Sequence, residues 1–251
     1  MPLVTIAIVL VNVIAYLLEI RHGGSFFGGP TEQTAVRWGA IPYELTHPGD
    51  HCELIVHTLP GGSASAVFCQ GQAGVTGTAA PQPATWITVF TSMFLHGGFL
   101  HIFGNMLFLA VFGPTVEDAM SRPRFALFYI LGGIVALAAQ VAAGPSSTEP
   151  TLGASGAIAA VLGGYILLYP RARVITLIFI VFFVTIVEIP AGVLLAIWFV
   201  LDGLAGAISS AGTEGVAYFA HIGGFLFGLA AIRAFAKRLP PRGGRPAVGL
   251  V

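Results

Sequence analysis

The stretch VITLIFIVFFVTIVEIPAGVLLAIWFVLDGLAGAI, residues 174–208, decides the fold. Val174–Val187 and Ala191–Ile208 are both apolar, and only Glu188, Ile189 and Pro190 separate them. If both cross a membrane the chain has seven spans; if one does, it has six. Charge placement chooses between these counts. With six spans, Arg122, Arg124, Arg171, Arg173, Arg233, Lys237, Arg238, Arg242 and Arg245 gather on one side, nine of the 11 Lys and Arg residues. Arg21 and Arg37 stay opposite, which is the asymmetry that keeps basic residues in the cytoplasm. A seventh span would carry the basic C-terminal tail outside. We therefore read Val174–Val187 as a segment near the inner face and Ala191–Ile208 as the fifth span, with N- and C-termini cytoplasmic.

The other spans follow from apolar length, since a helix needs about 20 residues to cross a core of about 30 Å. They are Leu3–Leu18, Phe99–Met120, Phe125–Ala143, Leu152–Tyr169 and Val216–Ala236. Composition agrees: 56% hydrophobic and 9% charged residues among 251 describe an all-α, multi-pass membrane protein. Formal net charge is zero and no run of like charge is long, so no nucleic-acid partner is expected. Leu3–Leu18 is expected to be a transmembrane helix rather than a signal peptide. No Lys or Arg precedes it, and Glu19-Ile20-Arg21-His22 does not resemble a small-residue cleavage site.

Residues 21–98 form a long extracytoplasmic first loop, marked by Gly, Pro, Ser, Thr and His and by the turn pairs Pro48-Gly49 and Pro60-Gly61. Within it Trp86–Leu95 is apolar but too short to span, and it stops at His96-Gly97-Gly98, as an interfacial or re-entrant helix would. The loop holds Cys52 and Cys69. An oxidising compartment would permit a disulfide between them, but spacing does not establish one. His47, Asp50, His51, Cys52 and His57 match no zinc signature, so no metal is expected. The membrane domain is expected over residues 1–238, and the Pro- and Gly-rich residues 239–251 as a short disordered cytoplasmic tail.

Six spans put a set of polar side chains at one depth. Ser155, in Gly153-Ala154-Ser155-Gly156, lies about three residues into span four from the outer side, or about 5 Å. His221 lies about five residues into span six, and His101 and Asn105 about two and six residues into span two, all from that side. His101 and Asn105 share a helix face because they are four apart. His221, Gly224 and Gly228 share another. Ser155, Ala159 and Gly163 share a third, with Gly156, Ala160 and Gly164 beside it. Small residues at these spacings let transmembrane backbones approach closely, which short serine and histidine side chains require if they are to meet. Taken singly, Ser155 reads as a packing or back-bonding residue and Asn105 as interhelical glue. Their joint placement points instead to nucleophilic catalysis within a membrane. The motif differs from the Gly-x-Ser-x-Gly elbow of soluble hydrolases, because Ala157 stands where the last glycine would be.

In order along the chain, His96-x4-His101-x3-Asn105, Gly153-x-Ser155-Gly156 and Ala220-His221-x2-Gly224-x3-Gly228 resemble the motifs of the rhomboid intramembrane serine proteases. The resemblance covers about residues 1–238, and the six-span order and long first loop resemble the bacterial members. It implies a six-transmembrane-helix rhomboid bundle in which Ser155 is the nucleophile and His221 the general base, with no third acidic residue. Asn105, His101 and the Ser155 N–H would form the oxyanion hole. His96 would tie the first loop to the membrane domain, Gly153, Gly156, Gly224 and Gly228 would be structural near the site, and Gly113 and Glu117 would form a structural motif below it. Members often carry a tyrosine four residues after the nucleophile, stacked near the base. This chain has Ala159, which leaves open how the His221 ring is held.

The resemblance further implies that the outer end of span five and the loop Ser209–Gly215 gate lateral access from lipid. Substrates would be transmembrane protein segments that unwind easily and carry a small residue at the cut. No cofactor is implied. The setting is a bacterial plasma membrane, with the active site toward the extracytoplasmic side. Two other classes compete. A catalytically inactive relative would bind transmembrane clients, but such proteins typically lack the serine or the histidine. A small transporter would need a polar path, and below Asn105 span two reads Met106-Leu107-Phe108-Leu109-Ala110-Val111-Phe112. Neither the native substrate nor the oligomeric state is indicated.

Overall fold

The computed structural model describes residues 1–59, 62–76, 79–80, 82–180, 183–209 and 217–237. Helix α1 (Leu3–Arg21) opens the chain, and the next long helix is α5 (Phe99–Ala119). Between them lie the short helices α2 (Glu32–Trp38) and α3 (Pro42–Thr46), a hairpin of β1 (Cys52–Leu59) and β2 (Gly62–Cys69), and α4 (Thr85–Thr91), which runs into a 3-10 turn, Ser92–Phe94. Helices α6 (Arg122–Ala143) and α7 (Ser155–Leu168) follow. A second hairpin, β3 (Arg173–Ile180) and β4 (Phe183–Pro190), then leads to α8 (Ala191–Ser209) and α9 (Tyr218–Phe235). Among the described helices α1, α5, α6 and α9 are long and apolar enough to cross a membrane.

Helix α7 is the centre of the molecule. Its 14 residues rise about 21 Å, less than a bilayer core, and they are apolar on every side, the composition of a helix enclosed by others. Ala159, Ala160, Val161 and Leu162 are fully buried. Around it Leu109 and Phe112 of α5, Phe125, Phe128 and Tyr129 of α6, and Ile232 of α9 form one core. The α7–α9 contact is the tightest. A Cβ on Gly224 would lie 2.1 Å from the Gly156 carbonyl oxygen, one on Gly228 2.0 Å from that of Ala160, and one on Gly163 2.2 Å from that of Phe225. Only glycine allows backbones this near.

Helix α1 is clamped to α5 at one end by Glu117. Its carboxylate accepts from the Val4 N–H (3.0 Å), the Thr5 N–H (2.8 Å) and the Thr5 hydroxyl (2.8 Å). A carboxylate suits the first turn of a helix, where N–H groups lack intrahelical partners and the dipole is positive. Gly113 brings the helices together there, since a Cβ would meet Thr5 Cγ2 at 2.9 Å.

The molecule is mostly helical, and the two hairpins correct the expectation of an all-α chain. In β3–β4 the run Val174–Val187 is rich in β-branched and aromatic residues, which fit a pleated ribbon better than a helix. It pairs in register from Arg173↔Pro190 to Ile180↔Phe183, so its described residues form strands rather than a helix. In β1–β2 Cys52 and Cys69 stand directly opposite and are disulfide-bonded. Both are fully buried with Val36, Ile41 and Tyr43 in a small separate core. The buried Glu44 carboxylate accepts the Cys52 N–H (2.7 Å) and stitches α3 to the hairpin. Residues 210–215 of the expected access loop, residue 216 and the tail 239–251 lie outside the described residues.

Candidate active site

Ser155 is the first residue of α7 rather than its fourth, because the chain from Thr151 to Ala154 is not helical. Thr151 is bridged to Ala40, and the Gly153 N–H donates to the Ser92 carbonyl (2.8 Å). Gly153 has φ +119°, and a Cβ there would sit 2.8 Å from His101 Nε2 and 3.5 Å from Ser155 Oγ. A glycine is thus required both by the backbone and by the two side chains that flank it.

Helix α9 presents His221 in its first turn, 4% exposed. The Ala220 N–H donates to Gln140 Oε1 (3.3 Å), which ties that turn to α6. Across the glycine contact the Ser155 hydroxyl lies 2.6 Å from His221 Nε2, within hydrogen-bond range. One feature that sequence reasoning missed adjoins this pair. The Trp198 ring of α8 lies 5.2 Å from the His221 ring, tilted 47°. In the sequence Trp198 is one of many large apolar residues in its segment, and nothing local distinguishes it.

Helix α5 supplies His101 and Asn105. The Gly97 N–H donates to His101 Nδ1 (3.3 Å), so the neutral ring carries its proton on Nε2, the nitrogen beside Gly153 and Ser155. Asn105 is 8% exposed, and its amide nitrogen is buried without a hydrogen-bond partner. The start of α7 adds backbone N–H groups free of intrahelical acceptors and the positive end of a helix dipole. A small cavity of about 20 Å³ adjoins Ser155, with Ser92, Thr151 and Ala220 in its wall, room for about one water molecule.

His96 is fully buried. Its Nδ1 donates to the Phe94 carbonyl (3.2 Å), and its ring stands edge-on to His101 at 5.1 Å. Burial first, and the neighbouring His101 second, push its pKa down to about 3, so it is neutral. Its backbone packs on the segment after α1: a Cβ on Gly29 would lie 2.4 Å from the His96 carbonyl oxygen, and the Phe99 N–H donates to Phe27 (3.4 Å). Gly156, Gly224 and Gly228 sit in the α7–α9 contact. A larger cavity, of about 1000 Å³, lies between α1, α2 and the 3-10 turn, beside Glu19, Arg37 and Trp38. It contains no serine–histidine pair, so geometry rather than size locates the candidate site.

Apolar helices around a partly buried serine–histidine pair define a multi-pass integral membrane protein with a polar site inside its helices. Residues 83–238, more than half of the chain, match the Rhomboid domain, and the chain belongs to the rhomboid family. It is similar to the candidate rhomboid protease YdcA of Bacillus subtilis, with 34% identity over 85 residues, 32% of this chain and 40% of that protein. It is 30% identical over 148 residues to the mitochondrial rhomboid protein 1 of Saccharomyces cerevisiae, 57% of this chain and 40% of that protein. Rhomboid-type serine protease 2 of Emericella nidulans is 30% identical over 161 residues, 60% of this chain and 27% of that protein. The chain thus spans less than half the length of these curated relatives.

Proposed function

We propose that this protein is an intramembrane serine endopeptidase that hydrolyses peptide bonds in or beside transmembrane segments of other membrane proteins. The observation that carries the reading is the 2.6 Å contact between Ser155 Oγ and His221 Nε2 at the meeting of two tightly packed apolar helices. His221 takes the serine proton as Oγ attacks the substrate carbonyl, then returns it to the leaving amine. A water molecule repeats the sequence on the acyl-enzyme. The oxyanion accepts from the Ser155 N–H, His101 Nε2 and the Asn105 amide, each donor contributing about 2.7–4 kcal/mol to transition-state stabilisation. His96 acts through His101 and the first loop, and no cofactor takes part.

In this reading α1, α5, α6, α7, α8 and α9 are six spans, residues 21–98 are extracytoplasmic with the site, and both termini are cytoplasmic in a bacterial plasma membrane. Support comes from family membership, from relatives named as proteases and from the distribution of Arg and Lys. The test is cleavage of a transmembrane substrate by purified protein in liposomes, beside Ser155→Ala and His221→Ala. Loss of cleavage in both variants is expected. Cleavage that survives either one overturns the dyad, and a folded wild type inert toward several substrates favours client binding without catalysis.

A further inference from the structure

The tight α7–α9 contact that brings Ser155 to His221 leaves no room for an aromatic ring at position 159. Ala159 is fully buried, and a Cβ on Gly224 would already lie 3.3 Å from the Ala159 Cβ. An aromatic partner for His221 comes instead from α8, where the Trp198 ring lies 5.2 Å away. Trp198 is itself held, with Phe108 of α5 at 5.8 Å and Phe199 at 4.8 Å. Phe199 in turn stands edge-on to Phe225 of α9 at 4.9 Å.

Over its described side chains, residues 191–201, helix α8 buries little else. Ala191 and Leu195 bury its first turns, and the Ala191 N–H donates to the Ala172 carbonyl (2.9 Å), but Val193, Ile197, Val200 and Leu201 are 47–68% exposed. Beyond Leu195 the described ring contacts to α5 and α9 run through Trp198 and Phe199. A swing of α8 about its buried first turns would therefore carry Trp198 off the His221 ring.

Resting on the protease reading above, we infer that Trp198 is a positioning residue for His221 and that, being carried on α8, it makes alignment of the base depend on α8 being packed against α5 and α9. An indole beside the imidazole limits its rotation about χ2, and an aromatic face within about 6 Å also favours the imidazolium formed when the serine proton is taken. Substrate that parts α8 from the bundle meets a misaligned base, and chemistry begins only when α8 closes again. The coupling delays attack until the substrate is enclosed, so opening and catalysis alternate.

The experiment uses the full chain in detergent, with Trp198→Leu and Trp198→Phe. Two rates are read: labelling of Ser155 by a small fluorophosphonate, which needs an activated serine but no bound helix, and kcat and KM for a transmembrane substrate. Trp198→Leu is expected to lower both labelling and kcat by about 10- to 100-fold with KM changed less than about threefold. Trp198→Phe, which keeps a ring, should hold both within about threefold of wild type. If Trp198→Leu does not fold, Trp198→Met against Trp198→Phe makes the same comparison of ring lost with ring kept. Wild-type labelling in the ring-less variant, a change in KM alone, or faster cleavage from a loosened α8 overturns the inference and leaves the protease reading standing. A wild type whose labelling is unaffected by Ser155→Ala overturns both.

Discussion

Replacing Gly224 with alanine tests whether the α7–α9 approach makes the site. The new methyl would start 2.1 Å from the Gly156 carbonyl oxygen, 3.1 Å from its carbon and 3.3 Å from the Ala159 Cβ. These are backbone atoms and a methyl with no rotamer to change, so the helices must part. Reaching the 3.4 Å at which ordinary contact begins requires a shift of about 1.3 Å. His221 lies one turn earlier on the same face, so its 2.6 Å contact with Ser155 opens to as much as about 3.9 Å, beyond hydrogen-bond reach. Misplacement of about 1 Å lowers rates about 100-fold, and overpacking destabilises by about 1–3 kcal/mol. Fluorophosphonate labelling of Ser155, kcat on a transmembrane substrate and the melting temperature are the measurements. Gly192→Ala is the control, because among the described residues its methyl meets only Ile166 Cδ1, at 3.5 Å. A folded Gly224→Ala protein that labels within twofold of wild type would refute the claim that this contact sets the pair's distance.

Three further outcomes follow from single features. Asn105→Ala should lower kcat about 100-fold while leaving the melting temperature equal or raised, because it deletes a buried amide nitrogen that has no partner. His96 is neutral in the fold to about pH 3, whereas the unfolded chain titrates near pH 6.5, so the unfolded state binds more protons between these values. Stability should fall as pH drops from about 6.5 toward 3, and His96→Asn should flatten that slope in thermal melts. Replacing both Cys52 and Cys69 with serine should destabilise the α2–α3–hairpin unit by about 2–4 kcal/mol, seen as faster proteolysis there, with Ser155 labelling unchanged.

Apolar length made the helix positions legible: α5 begins at Phe99 and α8 at Ala191, where the sequence reading starts its second and fifth spans. Spacing made the site candidates legible, because residues three or four apart on adjoining helices have to share faces. Three things were not legible. Val174–Val187 is apolar throughout, so its hydropathy carries no helix or strand period, and only its β-branched and aromatic content hints at the hairpin. Leu152 and Gly153 extend an apolar run that looks helical, yet the positive φ of Gly153 delays α7 until Ser155. Trp198 meets His221 across two helices, and such a meeting depends on helix rotations that a single sequence does not give.

Pairing separates the polar groups that build this scaffold from those set near Ser155. Glu117 accepts three donors from the start of α1, so its two oxygens are committed to holding α1 on α5. Asn105, twelve residues earlier on the same helix, presents a buried amide nitrogen with no acceptor, a defect of about 1–3 kcal/mol. An orphan group does not by itself locate a site, because Asn12 and Tyr129 also bury unpaired oxygens. Asn105 differs in its company. It shares a helix face with His101, whose Nε2–H points toward Gly153, and Gly153 leads into the α7 N-terminus that bears Ser155. On the proposed reading, donors near Ser155 in an apolar bundle would be stabilised as negative charge develops there, which would give the fold a reason to tolerate the orphaned amide nitrogen.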